Sequence, residues 1–262
     1  MIINKEEYLF HVSGEKELKS MKRVLDLIEN TLNRHNVTYT DFFEPNLIEL
    51  AKSILNRFED IGYVIDGGFE NAERQIISIF SWYYFYEENK DSHISPIEIK
   101  GNLDNIQHKD VLGSILGLGI VRDKVGDIGF FKNSIKVALS KDISDYVLFN
   151  LKKIKRENVE VKSIPINELG KIEEIGVYKD IIASSMRLDA IIGEAFNLSR
   201  SDSQKLVQSN LVKVNFKEES KASKSISEND LISVRGKGRF KISSIDGLTK
   251  KERIKLKIFY PE

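Results

Sequence analysis

The chain has 262 residues, enough for one large domain or two to three small ones, and its 40 Lys/Arg residues balance its 40 Asp/Glu residues. Hydrophobic residues make up 41% and charged residues 31%, which is typical of a globular protein and excludes a disordered one. The absence of cysteine excludes disulfide bonds, thiol catalysis and cysteine-ligated zinc or iron–sulfur centres.

The first part of the chain is predicted to be helical. Apolar residues recur at three- and four-residue steps from Leu18 to Leu32, which indicates an amphipathic helix. A second helix is predicted to start at Pro45, because proline suits the first helical turn. Residues 61–69 contain Asp66-Gly67-Gly68 and are interpreted as turns. Residues 1–71 are therefore predicted to form a helical N-terminal region.

After residue 72 the period of the apolar residues changes. From residue 94 onward the predicted order is β-α-β-β-α-β, the ferredoxin-like pattern that RNA-recognition folds share with many others. We therefore expect a ferredoxin-like domain over residues 72–166 and a connector over residues 167–182. The predicted strands are 76–84, 96–100, 127–131, 134–139 and 157–164, and the predicted helices are 105–118 and 144–155.

Residues 183–262 are predicted to form a third, basic unit. They hold 16 Lys/Arg and 10 Asp/Glu, so the zero net charge of the chain divides into about +6 here and −6 before it. One helix is predicted over residues 188–196, and Ser199 with Asp202 forms a capping box for a second helix that ends near Asn210. A strand at 211–217 and a longer β segment at 230–242 follow.

The cations of this unit follow the periods of its predicted elements. On the second helix, Arg200 shares a face with Gln204 and Gln208, and Lys205 flanks them. Basic residues at every second position of the strands suit contact with an RNA backbone, unless they form an ordinary solvated surface or a turn at 236–238 breaks the alternation. The alternating polar residues are Lys213, Asn215, Lys217, Arg235, Lys237, Arg239 and Lys241.

The stretches Met186–Ala190, Leu198–Ser201 and Leu211–Asn215 resemble the S4-type αL RNA-binding domain, a helix–loop–helix–strand unit that binds rRNA and tRNA. Asp189, in the R-L-D element, is expected to be structural and paired to a nearby cation. Asn210 stands where the family usually has glycine, and asparagine tolerates the same backbone region. The resemblance implies RNA contacts by Arg187, Ser199, Arg200, Ser201, Lys205, Lys213, Asn215 and Lys217, and the alternation adds Arg235, Lys237 and Arg239.

A second resemblance rests on seven stretches spread over the chain: Asp41–Pro45, Asp66–Gly68, Ala72–Arg74, His108–Gly113, Leu116–Gly119, Gly126–Ile128 and Val234–Phe240. Through them the whole chain resembles the YlmH family of bacterial proteins, sometimes described as cell-division-associated. The resemblance implies binding to the large ribosomal subunit and tRNA in ribosome-associated quality control, where stalled nascent chains on tRNA are extended with alanine. Gln75 replaces a basic residue that is common after the A-E-R element, which weakens the case for an RNA contact by the middle domain.

Enzyme motifs are missing from the sequence. It has no P-loop, no H-E-x-x-H and no G-x-S-x-G element, and the four histidines, His11, His35, His93 and His108, are scattered. Arg187-Leu188-Asp189 imitates the catalytic element of pseudouridine synthases, but no large catalytic domain follows it. A non-enzymatic protein without cofactor or metal is therefore expected.

The sequence thus predicts an α+β RNA-binding factor that acts on rRNA and tRNA of the large ribosomal subunit. It is expected to be a cytoplasmic monomer without a small-molecule substrate or a membrane partner, since residues 1–14 have no apolar signal segment and the apolar run 76–86 is too short to cross a bilayer. The alternatives are a cell-division adaptor with incidental RNA binding, and a pseudouridine synthase-like protein.

Overall fold

The computed structural model describes residues 2–82 and 92–261, and the chain divides into two compact units, residues 1–173 and 174–262. Both units combine helices with antiparallel sheets, which agrees with the α+β class expected from the sequence. Among the described residues, no helix is long and apolar enough to span a membrane.

The first unit opens with helices packed on a small sheet. Its elements are α1 (Lys5–Leu9), α2 (Glu15–Arg34), β1 (Thr38–Tyr39), α3 (Pro45–Leu55), β2 (Ile61–Asp66) and β3 (Ile76–Ser81). The two predicted helices are confirmed as α2 and α3, and Pro45 occupies the first turn of α3. The turn predicted for residues 61–69 is wrong over β2, because the glycines around it hid a strand that pairs with β3.

Strand β3 joins parts of the chain that the sequence assigned to different domains. It lies between β1 and β2, so the boundary expected at residue 72 passes through this sheet. All six residues of β3 are buried, which requires cover on both faces of the strand. The strand predicted at 76–84 is confirmed as far as Ser81, and Tyr83 and Tyr84 lie outside the described residues.

The rest of the first unit has the predicted β-α-β-β-α-β order with one added strand. Its elements are β4 (Ile97–Gly101), α4 (His108–Leu116), β5 (Val125–Phe131), β6 (Ser134–Leu139), α5 (Lys141–Asn150), β7 (Lys153–Ile154) and β8 (Glu157–Ser163). They form a sheet in the order β5-β6-β4-β8-β7. The helix predicted over 144–155 ends at Asn150, since Lys153 and Ile154 turn back to pair with β8.

Both faces of this sheet are covered over β5 and β6. Val137 and Leu139 on β6 pack into the core under α4 and α5. Ala138, between them in sequence, belongs to a separate core that includes Phe42 and Phe69 from the N-terminal part. The sheet therefore holds the N-terminal elements against β5 and β6, while Lys100 on β4 and Glu160 and Lys162 on β8 leave the rest of that face exposed.

The second unit is a six-stranded antiparallel sheet with two helices on one face. Its elements are β9 (Gly176–Ala183), α6 (Leu188–Phe196), α7 (Arg200–Gln208), β10 (Val212–Val214), β11 (Lys217–Glu218), β12 (Leu231–Val234), β13 (Gly238–Leu248) and β14 (Ile254–Pro261). The strand order is β11-β10-β12-β13-β14-β9. Residues 167–182, expected to be a connector, contain most of β9, which pairs along its length with β14. This long-range pairing has no local sequence signal.

Candidate nucleic-acid interface

The start of α7 is fixed by the capping interaction that the sequence predicted. The Ser199 hydroxyl oxygen accepts a hydrogen bond from the backbone N–H of Asp202 at 3.1 Å. The same hydroxyl group lies 2.7 Å from the Asp202 carboxylate. This cap orients the first turn so that the Arg200 side chain is 72% exposed, and the positive end of the helix dipole adds to its charge.

Arg187 and the buried Asp189 form an ion pair next to this helix start, in which the Arg187 side chain is 37% exposed. The fully buried Asp189 carboxylate accepts hydrogen bonds from Arg187 Nε and Nη2, at 3.0 and 2.9 Å, and from Gln204 Nε2 at 2.9 Å. The Arg187 guanidinium holds the pKa of this carboxyl below its usual range, against the effect of burial. The structural role expected for Asp189 is confirmed. Arg187 and Gln204 use side-chain N–H donors for hydrogen bonds within the protein, so these donors do not contact a ligand.

Lys205 and Lys237 are brought together at a shallow cavity of about 320 Å³. Its apolar lining comes from Leu198, Leu206 and Leu211, and its polar rim also includes Asp202 and Ser209. The backbone N–H of Arg235 donates to the Leu211 carbonyl at 2.8 Å, which holds the turn carrying Lys237 near the end of α7. The side of the unit formed by Ser199, Arg200, Lys205 and Lys237 is called here the helix-side surface.

A turn breaks the alternation of four cations from Arg235 to Lys241, which is the alternative that the sequence left open. β12 and β13 are two strands of a hairpin, and residues 235–237 form the turn between them. Gly236 and Gly238 have φ of 79° and 115°, so glycine permits this turn. Arg235 and Lys237 therefore lie in the turn, while Arg239 and Lys241 lie on β13.

Asn215 also lies in a turn and not on a strand. Asn215 and Phe216 have φ of 49° and 69°, and they connect β10 to β11 so that Val214 pairs with Lys217. The Asn215 amide donates to the Asp230 carboxylate at 2.7 Å and accepts from the Leu231 N–H at 2.9 Å. The side chain predicted to contact RNA thus makes hydrogen bonds within the protein that fix the register of two strands.

The predicted contacts divide between two faces of the sheet. Val212 and Val214 are buried in the core with α6 and α7, so Lys213 between them points to the opposite face. On that face the register sets Lys213 beside Ser233, and Ser233 beside Arg239. Lys213 and Arg239 therefore do not join the helix-side surface. Lys217, which pairs with Val214, is exposed on the helix side of the sheet, and Ser201 is exposed on α7.

Two further cations on this second face, Lys255 and Lys257, were missed from the sequence. They are exposed, as is Lys241 from the predicted alternation, and each of the three lies one position from a buried core residue of its strand. The alternation of Lys255, Leu256, Lys257 and Ile258 was available as a signal, but the C-terminal residues were not read as a strand. The face that carries Lys213, Arg239, Lys241, Lys255 and Lys257 is called here the open sheet face.

The family motifs of the first unit hold its parts together. The guanidinium of Arg74, which is 5% exposed, donates to the Phe42 carbonyl at 2.8 Å and to the Val125 carbonyl at 3.2 Å. The Asp127 carboxylate accepts from the backbone N–H groups of Glu73 and Arg74. Burial raises the pKa of this carboxyl despite those bonds. These contacts give the A-E-R and G-D-I elements a role in the folding of the first unit, and this role does not require contact with RNA.

Phe130 and Phe131, the sheet aromatics considered for base stacking in the described part of the first unit, do not form a surface like that of an RNA-recognition fold. Phe130 packs under the helices, and Lys136 Nζ lies 4.7 Å above the Phe131 ring on the covered side of the sheet. Trp82 is 66% exposed, while residues 83–86 lie outside the described part. Within residues 2–82 and 92–261, no group of His, Asp and Glu side chains could hold a metal ion.

Comparisons with known proteins agree with this architecture. A family model described as "YlmH, N-terminal" matches residues 16–84, and one described as "Putative RNA-binding domain in YlmH" matches residues 87–168. The "Ribosome-associated protein quality control protein P2" of Bacillus subtilis strain 168 is 31% identical over 223 residues, which cover 84% of this chain and 86% of that protein. The chain belongs to the YlmH family.

A solved structure shows a related fold. The "Cell division protein ylmH from Streptococcus pneumoniae" superposes with a TM-score of 0.51 at 22% identity, over 62% of this chain and 97% of that one. At this identity the likeness concerns the fold alone.

Proposed function

We propose that the protein is a non-catalytic RNA-binding factor of ribosome-associated quality control, which binds rRNA and tRNA on the large ribosomal subunit as a monomer. The observation that carries this proposal is the helix-side surface, where Lys205 of α7 and Lys237 line one cavity and Arg200 is exposed at the start of the same helix. We assign the second unit to the S4-type αL domains and the β4–β8 part of the first unit to the ferredoxin-like domains. The names of the matching family model and of the Bacillus subtilis relative support the same function.

Charge supports the assignment of RNA binding to the second unit. Residues 174–262 carry 17 Lys/Arg against 12 Asp/Glu, while residues 1–173 carry 23 against 28. Basic side chains that neutralise phosphates supply most of the affinity for nucleic acids. Arg200 and Lys205 on α7, with Lys237 across the cavity from Lys205, would hold an RNA backbone along the helix, and Ser201 would donate to a phosphate oxygen. Ser199 already donates its hydroxyl hydrogen to the Asp202 carboxylate and would act by fixing the start of α7.

Catalysis like that of a pseudouridine synthase is disfavoured by the state of Asp189. A catalytic aspartate must reach its substrate, whereas this carboxylate is fully buried and accepts hydrogen bonds from Arg187, Gln204 and the Ala190 N–H. Its lowered pKa keeps it ionised as the partner of Arg187. The R-L-D element is therefore best explained as the brace between α6 and α7.

A protein-interaction adaptor is the second candidate, and exposed aromatic residues on α5 favour it. Tyr146 is 52% exposed and Phe149 is 78% exposed, and a partner protein could cover them. Removal of residues 174–262 separates the two functions, because an adaptor would keep its partner after this deletion. The cut belongs at residue 174, since a cut at 183 would leave β9 without β14.

Co-sedimentation with purified large ribosomal subunits tests the proposal. The full-length chain should sediment with the subunits, and the Arg200→Glu/Lys205→Glu variant should remain in the supernatant. Lys250→Glu/Lys251→Glu makes the same change in net charge at exposed positions in the turn between β13 and β14, and it should sediment as the wild type does. A folded Arg200→Glu/Lys205→Glu variant that still sediments would contradict the proposal.

A further inference from the structure

We propose that the open sheet face is a second RNA-binding surface, which takes a single-stranded segment with its backbone along the lysines and an unpaired base on Tyr178. The proposal rests on the proposed function, and it concerns the side of the sheet opposite the helix-side surface. It is carried by strand register, exposure and ring contacts of residues on β9, β13 and β14.

The strand register places the cations in the centre of this face. Lys241 on β13 pairs with Phe259 on β14, and Phe259 pairs with Tyr178 on β9. On β14, the next two residues on the same face as Phe259 are Lys257 and Lys255. Same-face positions on one strand are about 6.6 Å apart, so these side chains can follow a continuous backbone across the two strands.

Carboxylates lie beside some of the lysines of this face, but not beside Lys241. Asp180 on β9 is the register partner of Lys257, and Glu218 on β11 is the register partner of Lys213. The Asp246 carboxylate accepts a hydrogen bond at 2.7 Å from Ser244, which also pairs with Lys257. Lys241 has Leu231 and Phe259 as its cross-strand neighbours, so the register gives it no carboxylate. Cations at diagonal positions repel one another, and an anionic ligand removes that cost.

An aromatic platform lies directly beside the lysines. The Tyr178 and Phe259 rings have centroids 4.9 Å apart, and Phe259 is 9% exposed while Tyr178 is 63% exposed. The buried ring supports the exposed one, which leaves a face of Tyr178 for a base. Cationic strands with interleaved aromatic rings are the arrangement by which proteins bind single-stranded nucleic acids.

Single-stranded RNA fits this face better than a duplex or an acidic protein. A duplex offers phosphates but no unstacked base for Tyr178, because its bases are stacked inside the helix. An acidic peptide would satisfy the lysines without using the ring. The exposed Tyr178 and Lys241 both lie beside Phe259 in the sheet, and together they favour an RNA strand with at least one unpaired base.

Fluorescence anisotropy with a labelled oligouridine of about 12 nucleotides tests this proposal on the full-length chain. Lys241→Glu/Lys257→Glu and Tyr178→Ala should each weaken binding about tenfold, while the matched Lys250→Glu/Lys251→Glu control should change it less than about twofold. In the milder Lys241→Gln/Lys257→Gln variant, the slope of log K against log salt should fall by about 1.4, because each lost contact to a single strand removes about 0.7. Circular dichroism checks that each variant is folded.

Crosslinking of a 4-thiouridine oligonucleotide provides a direct readout, with Tyr178 expected in the modified peptide. Binding of Lys241→Glu/Lys257→Glu equal to that of the control would overturn the second surface, while wild-type binding would leave the proposed function standing. If the Lys241→Glu/Lys257→Glu variant binds isolated RNA normally but no longer binds the ribosome, the open sheet face contacts a protein. That result would also overturn the second RNA-binding surface. Absence of RNA binding by the wild type would instead contradict the proposed function itself.

Discussion

The guanidinium of Arg187 and the carboxylate of Asp189 are joined by two parallel hydrogen bonds, Nε to Oδ1 at 3.0 Å and Nη2 to Oδ2 at 2.9 Å. Two residues apart in sequence, they connect the start of α6 to Gln204 on α7 through the same carboxylate. The pair sets the angle between the two helices and thereby the position of Arg200. The motif that resembles a catalytic element thus supports the helix-side surface, for which we propose RNA binding.

Replacement of Asp189 should destabilise the second unit. Asp189→Ala removes the acceptor for Arg187, Gln204 and the Ala190 N–H, and we expect a loss of about 2–3 kcal/mol in the free energy of unfolding. Urea unfolding with hydrogen exchange of α6 and α7 peptides measures it. Asp246→Asn, at an exposed carboxylate, should change stability by less than about 0.5 kcal/mol. Equal stability of the two variants would contradict the bracing role.

Two neighbouring serines should separate folding from binding. Ser199→Ala removes the cap of α7 and should cost about 1 kcal/mol of stability, because the Asp202 N–H loses its acceptor. Ser201→Ala lies on the exposed first turn and should leave thermal unfolding unchanged while it weakens RNA binding. Thermal unfolding, monitored by circular dichroism, measures the stability of each variant. Fluorescence anisotropy with ribosomal RNA fragments measures its RNA affinity. A Ser201→Ala variant with wild-type affinity would remove Ser201 from the RNA contacts.

Asn215 should act through the fold. Asn215→Ala loses the bonds to Asp230 and to the Leu231 N–H, and alanine is disfavoured at φ of 49°, so we expect a loss of about 2 kcal/mol. The salt dependence of RNA binding should stay the same, because no phosphate contact is removed. Lys217→Ala, at the other end of this turn, should show the reverse pattern. A lower salt slope in Asn215→Ala would restore it as an RNA contact.

Arg74 should be essential for the stability of the first unit and should not be required for RNA binding. Arg74→Lys cannot donate to both the Phe42 and Val125 carbonyls while facing Glu44 and Asp123, and we expect a loss of about 3 kcal/mol. Urea unfolding by circular dichroism measures this loss, with the exposed Arg156→Lys as the matched control. Normal stability combined with lost RNA binding would reverse the assignment.

Local signals in the sequence were enough to place α2 and α3 in the first unit and α6 and α7 in the second, although α1 was not predicted. Apolar periodicity marked α2 and α6, Pro45 marked the start of α3, and Ser199 with Asp202 marked the start of α7. Asn210, predicted to adopt a left-handed backbone, has φ of 55°. Each of these features depends on residues within one or two turns of each other.

The features that escaped prediction depend on distant pairing or on local backbone angles. Strand β9 exists because it pairs with β14, more than 70 residues later, and the turn at 215–216 uses two non-glycine residues with positive φ. The division of the predicted cations between two faces followed from these turns. Alternation along a strand tells which residues share a face, but not where the strand ends.

The most direct test of the account is a crosslinking map of the RNA bound to the protein in cells, made with the wild-type chain and with Arg200→Glu/Lys205→Glu. We predict that wild-type crosslinks concentrate in the RNA of the large ribosomal subunit and in tRNA, and that the variant loses them while it remains folded and equally abundant. A variant map identical to that of the wild type, or wild-type crosslinks without enrichment in these RNAs, would contradict RNA binding through α7.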